Sequence, residues 1–295
     1  MNESRNMLPS RPVGVSKAKA VKATLRRRAT RPRRPEGVLM SVGDVALWDF
    51  LDEVGIATVS QMSRHLGRSE STLRRRLPKH RRLRICGSRS VGNGSHQQAW
   101  WLTKYGAIAG VGHRDLTGMG TPALASIPHA LALTEVYIIL SAEYGSKRLV
   151  HERDIVNIDL HGNTKVAAAY AGSRGKVLIR QPQFVFPLTS LEGTGILPIA
   201  GIHIPDLLVL EGTSSAGGGR YSMNEIEITA KAPHRVKRLL AAASSPYLAP
   251  HISSITFWVC TEKVERLIRR CAKSAGVDVE IRWFAHPVPD LLWRA

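Results

Sequence analysis

Thr58-Val-Ser-Gln-Met-Ser-Arg-His-Leu-Gly67, followed by Arg68, Ser69-Glu-Ser-Thr-Leu-Arg-Arg-Arg-Leu77 and Pro78, is the stretch on which the fold turns. Thr58 to Gly67 reads as one short helix, and Ser69 precedes a second helical pattern. The Ser69 side-chain oxygen suits the N-cap, where the first backbone N–H groups of a helix lack partners. Gly67 closes the first segment. Two short helices joined by a tight turn are the helix-turn-helix arrangement, in which the first braces and the second presents its face to a DNA groove. Leu73 and Leu77, at i and i+4, form the expected buried stripe of the second helix. Ser71, Thr72, Arg74, Arg75 and Arg76 are then left outward. Pro78 has no N–H to continue the ladder and is expected to end the helix.

The flanks extend this reading. Upstream, Val42, Val45, Ala46, Trp48, Phe50 and Leu51 give a helical pattern between Ser41 and Glu53, with Ser41 and Asp44 as a capping box and Gly55 as its stop. Downstream, Leu83 to Gly87 and Gln97 to Leu102 read as two strands around Asn93-Gly94, a strong hairpin turn signal. Thr103 to Gly110 reads as a short following helix. Together, residues 38–112 predict a winged helix-turn-helix unit with the hairpin as its wing. Between Arg64 and Arg89 the chain carries ten Arg or Lys and one Glu. Besides the second-helix arginines, Lys79, Arg81, Arg82 and Arg89 are therefore expected at a phosphate backbone. Most such contacts position a protein rather than read bases.

Charge over the whole chain agrees. Among 295 residues, 42 are Lys or Arg and 23 are Asp or Glu, for a formal net charge of +19. A field of that size gathers polyanions, and double-stranded DNA is the first candidate partner. Residues 1–37 form a basic arm holding Arg26, Arg27, Arg28, Arg31, Arg33 and Arg34. With little apolar surface to bury, the arm is expected to be disordered alone and to follow phosphates or enter a minor groove. Pro32 and Pro35 argue against an amphipathic targeting helix there. Cys86, Cys260 and Cys271 have neither zinc-site nor disulfide spacing, which points to a reducing, cytoplasmic setting. No membrane partner is expected, because no uninterrupted apolar run reaches the ~18 residues of a span.

A Gly- and Thr-rich stretch from Gly110 to Thr121 marks an expected boundary, and residues 121–295 read as a second, α/β domain. Pro122 to Tyr144 predicts one long helix. Arg148 to Asp159 suggests a strand or two, and residues 162–200 are ambiguous. Ile204 to Leu210 reads as a buried strand, Gly212 to Gly219 as a hairpin loop, and Tyr221 to Thr229 as the returning strand. His234–Ala243 and Glu262–Gly276 read as helices, with Ser254–Cys260 and Val279–Phe284 as strands.

Chemistry concentrates in the hairpin. Asp206 follows Pro205 at the head of one strand. Glu225 and Glu227 lie two apart on the next, and so share a face. Three hard oxygen donors suit Mg2+ or Mn2+. Such an ion lowers the pKa of bound water and steadies a phosphate during cleavage. Each residue also has a plainer role open to it: the polar side of a half-buried strand for Glu225 and Glu227, a strand-end residue for Asp206, an arginine partner for Glu135, a packing residue for His129.

An Asp at the head of a strand, a hairpin and then acid-x-acid resemble the core of the PD-(D/E)xK nuclease superfamily. Joined to a winged helix, the chain resembles the replication-relaxation family, which includes MOBC-type mobilisation proteins. The resemblance runs from about Val38 to Phe284. It takes in Leu102-Thr103, His129, Glu135, His151-Glu152-Arg153, Pro205-Asp206, Glu225-Ile-Glu227, Lys231, Lys237 and Tyr247. It implies a winged helix followed by a central mixed sheet flanked by helices, in a protein of a plasmid or other mobile element. Such a protein nicks or remodels an origin, with other relaxosome or replication proteins as candidate partners; the oligomeric state stays open, a dimer being one option. By the same resemblance Asp206 and Glu225 hold a metal, with Glu135 as a further carboxylate. The family pattern has lysine two residues after the second acid, where this chain has Glu227. Lys231 or Lys237 is then expected to supply that charge beside Asp206, Glu225 and Glu227. A non-catalytic DNA-binding accessory or regulator on a degenerate nuclease fold, and a repressor whose second domain pairs subunits, remain the alternatives at this stage.

Overall fold

The computed structural model describes residues 41–91, 97–109, 119–159, 176–178, 186–187, 196–198, 202–213, 219–244 and 249–289. Residues 1–37, the Asn93-Gly94 turn, most of the expected boundary after Gly110, nearly all of 162–200, and Tyr247 lie outside them. Helices and strands mix throughout, in an α+β arrangement with a three-stranded and a five-stranded sheet.

The N-terminal elements follow their caps. Helix α1 (Val42–Val54) starts at Ser41, whose backbone N–H donates to Asp44 at 2.9 Å, and it stops at Gly55, where φ is +81°. Strand β1 (Ala57–Thr58) leads into α2 (Val59–Leu66). Thr58 accepts from the Gln61 N–H while Gln61 Oε1 accepts from the Thr58 N–H at 3.0 Å, and Gly67 closes the helix in the left-handed region. Helix α3 (Glu70–Arg82) begins with Ser69 accepting from Thr72.

The expected stop at Pro78 does not occur, and α3 runs on to Arg82. A proline inside a helix costs about 3 kcal/mol. Burial of Leu77, and of His80 against Asp44 and the edge of the Trp48 ring, holds the extra turn. Strands β2 (Cys86–Ser90) and β3 (Gln98–Leu102) then pair antiparallel, with β1 on the far side of β3. Helix α4 (Lys104–Ala109) follows. It sits so close to the chain at Ile85 that a Cβ on Gly106 would lie 2.1 Å from the Ile85 carbonyl oxygen.

Helix α5 (Ile127–Tyr144) crosses from this region to the second sheet. One apolar cluster includes Leu51, Met62, Leu73 and Trp100 from the N-terminal elements. It also includes Leu133, Val136 and Leu140 of α5 and Ile226 and Trp258 of the large sheet. By length and composition, Leu124–Tyr144 meets the criterion for a membrane-crossing helix, but over half of it is buried, which is the pattern of a core helix.

The large sheet has the order β12-β11-β10-β9-β4. Its strands are β4 (Leu149–His151), β9 (Leu207–Thr213), β10 (Gly219–Glu227), β11 (Ile252–Val259) and β12 (Glu280–Trp283). Neighbours are antiparallel from β4 to β10 and parallel from β10 to β12. Small pairs form between β5 (Lys176–Leu178) and β7 (Ile196–Pro198), and between β6 (Phe186–Pro187) and β8 (Ile202–His203). The parallel crossovers are α7 (Pro233–Ala243) and α8 (Glu262–Ala275). Both pack with Met223, Phe257 and Val259, while Ile226 and Trp258 face α5 from the opposite side of the sheet.

Several expectations shift. Strand β2 lies at Cys86–Ser90 rather than Leu83–Gly87, and the long helix expected from Pro122 begins only at Ile127, after a short 3-10 turn at Leu124–Ser126. Glu152 to Asp159 is helix α6 rather than strand. Glu152 and Asp154 sit in its first turn, where negative charge is favoured, and Ile155 is buried. The strand expected from Ile204 starts instead at Leu207. Pro205 lacks a ladder donor, and the Asp206 carboxylate takes the Ile226 N–H at 2.8 Å, so backbone pairing with β10 begins only at Leu207.

Candidate functional site

Four elements end together. Strand β10 delivers Glu225 and Glu227 near its C-terminus, and the residue before β9 is Asp206. The turn from β4 into α6 places Glu152, whose N–H donates to the Asp206 carbonyl at 3.0 Å. Near the start of α5, His129 reaches Asp206 from the far side of the sheet. Asp206, Glu225 and Glu227, expected as a cluster, are thus brought into one electrostatic group, and all three are buried.

Each carboxylate has a cationic or imidazole partner. His129 Nε2 lies 3.1 Å from Asp206 Oδ1, and His203 Nε2 lies 2.8 Å from Glu225 Oε1. Lys231 donates to Glu227 Oε1 at 2.6 Å. Lys231 therefore occupies the vicinity in which the sequence left a lysine wanting, reached from four residues beyond Glu227 rather than from its position. Lys237, the other candidate, turns away and donates to Ser274 at 2.9 Å.

Protonation follows burial and neighbours. Burial opposes charge on Asp206, yet His129, Lys231 and the Ile226 N–H hold its carboxyl down at about 2. The Asp206 charge in turn lifts His129 to about 9. Burial pushes Glu227 up to about 7 against the pull of Lys231. Burial, then the nearby Asp206 charge, pushes Glu152 up to about 7, and Glu225 is raised in the same direction. Burial opposes charge on His203, but the Glu225 and Asp206 carboxylates together raise its pKa. His151, fully enclosed beside this group, is held neutral by burial with its pKa down at about 3.

Burial thus favours the protonated form of Glu227, Glu152 and Glu225, and a dication beside them would favour their ionised form. By charge and ligand type such a set fits a hard dication such as Mg2+ or Mn2+. Among the described residues no three acidic or histidine side chains already stand as a ligand group. Glu135, expected as a further carboxylate ligand, is committed elsewhere. Arg64 grips it with two bonds of 2.6 Å and Gln61 Nε2 donates to it at 3.1 Å.

Comparison with protein-family models, curated proteins and solved structures finds no match.

On α3 the expected outward residues separate into groups. Ser71, Arg74, Arg75, Lys79, Arg81 and Arg82 are exposed and Thr72 is half-buried. Arg74 carries a local ion pair to Glu70 at 2.7 Å. Arg76 departs from expectation: it binds the buried Asp44 and donates to Ser41, which fastens α3 to α1. Arg81 donates to Ser88 at 3.2 Å and half-buried Arg89 to the Pro122 carbonyl at 3.2 Å. Arg26, Arg27, Arg28, Arg33 and Arg34 lie outside the described residues.

His203 and Glu152 were not singled out by sequence reasoning as part of this site. Glu152 had a signal, since it stands in the His151-Glu152-Arg153 string. His203, three residues before Asp206, had none beyond proximity.

Proposed function

We propose that this chain is a DNA-binding protein of the replication-relaxation type, a winged helix joined to a PD-(D/E)xK-like unit that nicks DNA with a divalent metal. The carrying observation is the meeting of Asp206, Glu225 and Glu227 with Lys231 at one end of the large sheet. Support also comes from element order. The series α5, β4, β9, β10, α7, β11 has an acid at the head of its second strand and two acids on its third. Helices α1 to α3 with the β2–β3 hairpin support the winged-helix reading, and the exposed arginines of α3 support duplex DNA as the partner.

In this reading Mg2+ or Mn2+ would be held by Asp206, Glu225 and Glu227, and would supply an activated water and charge compensation for a phosphodiester. The chain's own residues set the stage. The Ile226 N–H and His129 keep Asp206 ionised and fixed. Lys231 brings a positive charge to Glu227 and, on release from it, an ammonium group for a phosphate oxygen. Burial by α5, α7 and α8 lowers the local dielectric, which strengthens each of these interactions.

A second reading has its own observation. His129, His203 and Lys231 each satisfy one carboxylate from within. An internally balanced site suits a non-catalytic accessory or regulator. A supercoiled-plasmid assay with the native locus separates the two. Nicking that needs both the metal and Asp206 establishes the enzyme. Tight binding by wild type, with no nicking at any metal concentration, establishes the accessory.

A further inference from the structure

The basic charge of the described residues is unevenly placed. Helix α1 carries four acids and no base, and the mainly acidic α6 carries one arginine. Helix α7 carries no acid at all, and its Arg235, Lys237 and Arg238 are exposed. Beside it, α8 exposes Lys263, Arg270 and Lys273. The only acids of α8 stand in its first turn, where Glu262 and Glu265 pair along the helix with Arg266 and Arg269 at 3.8 and 2.7 Å. Lys237 donates to Ser274 across the pair, so the two helices present one continuous face.

That face is joined to the carboxylate site. Lys231 sits on Glu227, and α7 begins two residues later at Pro233. Met223 packs with α7 and α8, and alternation along β10 puts Glu225 and Glu227 on the same side of the sheet. The basic strip thus leads outward from the acids on the side that those two helices cover. A face this basic raises the local concentration of anions, and the closely spaced phosphates of duplex DNA match a strip of cations best.

We propose that the outer faces of α7 and α8 are a second, sequence-independent contact surface for the phosphates of duplex DNA, separate from α3. It holds the segment of duplex that leads away from the carboxylate site. The proposal rests on the DNA-binding reading above, but on different residues, so the two can fail separately.

The test is the salt dependence of affinity for a long duplex of unrelated sequence, measured on the full chain. Four proteins are compared: wild type, Arg75→Ala on α3, Arg238→Gln/Arg270→Gln on α7 and α8, and Lys147→Gln/Arg148→Gln. The last pair removes the same formal charge from the short turn before β4. All these side chains are exposed, and circular dichroism melts check that folding is kept. Each phosphate that the protein no longer neutralises lowers the slope of log affinity against log salt by about 0.9, so the α7/α8 pair is expected to lower it by about 2. The Lys147/Arg148 pair is expected to leave it unchanged.

An α7/α8 pair with the wild-type slope overturns the proposal. So does an equal fall in both pairs, which would mean net charge alone. Loss of binding to anionic lipid vesicles with unchanged DNA binding overturns it in favour of a membrane surface. A fall in the α7/α8 pair with no effect of Arg75→Ala supports this surface and counts against the α3 reading. The reverse result sinks this surface alone.

Discussion

Nη1 and Nη2 of Arg64 meet Oε1 and Oε2 of Glu135, each at 2.6 Å, across 71 residues of sequence. Glu135 is buried in α5 and Arg64 is half-exposed on α2. Gln61 adds bonds to Glu135 and to the Leu131 carbonyl, and Thr134 donates to the Ile56 carbonyl at 2.6 Å. The same helix carries His129 to Asp206. One rigid element therefore links the brace of the expected DNA-binding unit to the carboxylate site.

Glu135→Ala is expected to destabilise by about 2 kcal/mol, because it removes a two-point charged pair and leaves the Gln61 amide short of an acceptor. In a chain of this size that lowers Tm by about 5 °C. Arg64→Ala is expected to cost less, since its guanidinium is half in water already. A double-mutant cycle by thermal melting checks the coupling, and additive single effects would show that the pair contributes nothing.

Adjacent arginines on α3 are expected to behave differently. Arg75 is exposed, so Arg75→Ala lowers the salt slope of DNA binding by about 0.9 and leaves Tm near wild type. Arg76 is bound to Asp44, so Arg76→Ala costs about 2 kcal/mol of stability and changes the slope little. Melting and salt titration on both variants decide this, and an exchange of the two outcomes would mean that Arg76 leaves Asp44 for DNA.

The difference between these neighbours also marks what the sequence can carry. Caps are local, so Ser41, Ser69, Gly55 and Gly67 could be read directly, and β3 fell close to its expected span, whereas β2 lies at Cys86–Ser90, later in the chain than the expected Leu83–Gly87. Asp206 and the Glu225–Glu227 pair were legible as a pattern. Partners at long range were not. His80 holds α3 past Pro78 through Asp44, 36 positions away, and His129 finds Asp206 across 77. Glu135 looks the same on paper whether it meets a metal or an arginine. Gly106 is a further case, one glycine in a short helix until the packing against Ile85 is seen. Gly106→Ala is expected to cost about 1–3 kcal/mol through forced backbone movement, readable as a lower urea midpoint.

Asp44 gives a test in pH. Burial opposes its charge, but Arg76, His80 and Ser41 hold its pKa well below the ordinary carboxylate range. A depressed folded pKa means stability that is complete above the unfolded value of about 3.9 and is lost as pH falls through the lower folded value. Asp44→Asn is expected to cost about 3 kcal/mol at pH 7, since it leaves Arg76 and His80 without their anion. Urea unfolding at pH 7 and at pH 3 should show the gap between wild type and Asp44→Asn narrowing at the lower pH. An unchanged gap would remove the charge from the explanation.

The carboxylate site carries the opposite sign. Glu227 and Glu152 are both pushed up to about 7. Between the unfolded value of about 4.3 and that folded value, the native state binds more protons than the unfolded chain. Stability from these groups therefore falls as pH rises through this window. A dication held by Asp206, Glu225 and Glu227 would compensate the charge once the protons have gone. Mn2+ is accordingly expected to raise Tm more at pH 8 than at pH 5, where protons compete for the same oxygens. At tenfold excess over its Kd the gain is about 1.4 kcal/mol, or about 3 °C. Asp206→Asn is expected to abolish the rise. A rise of equal size at both pH values, or one that survives in Asp206→Asn, would place the ion elsewhere on the protein.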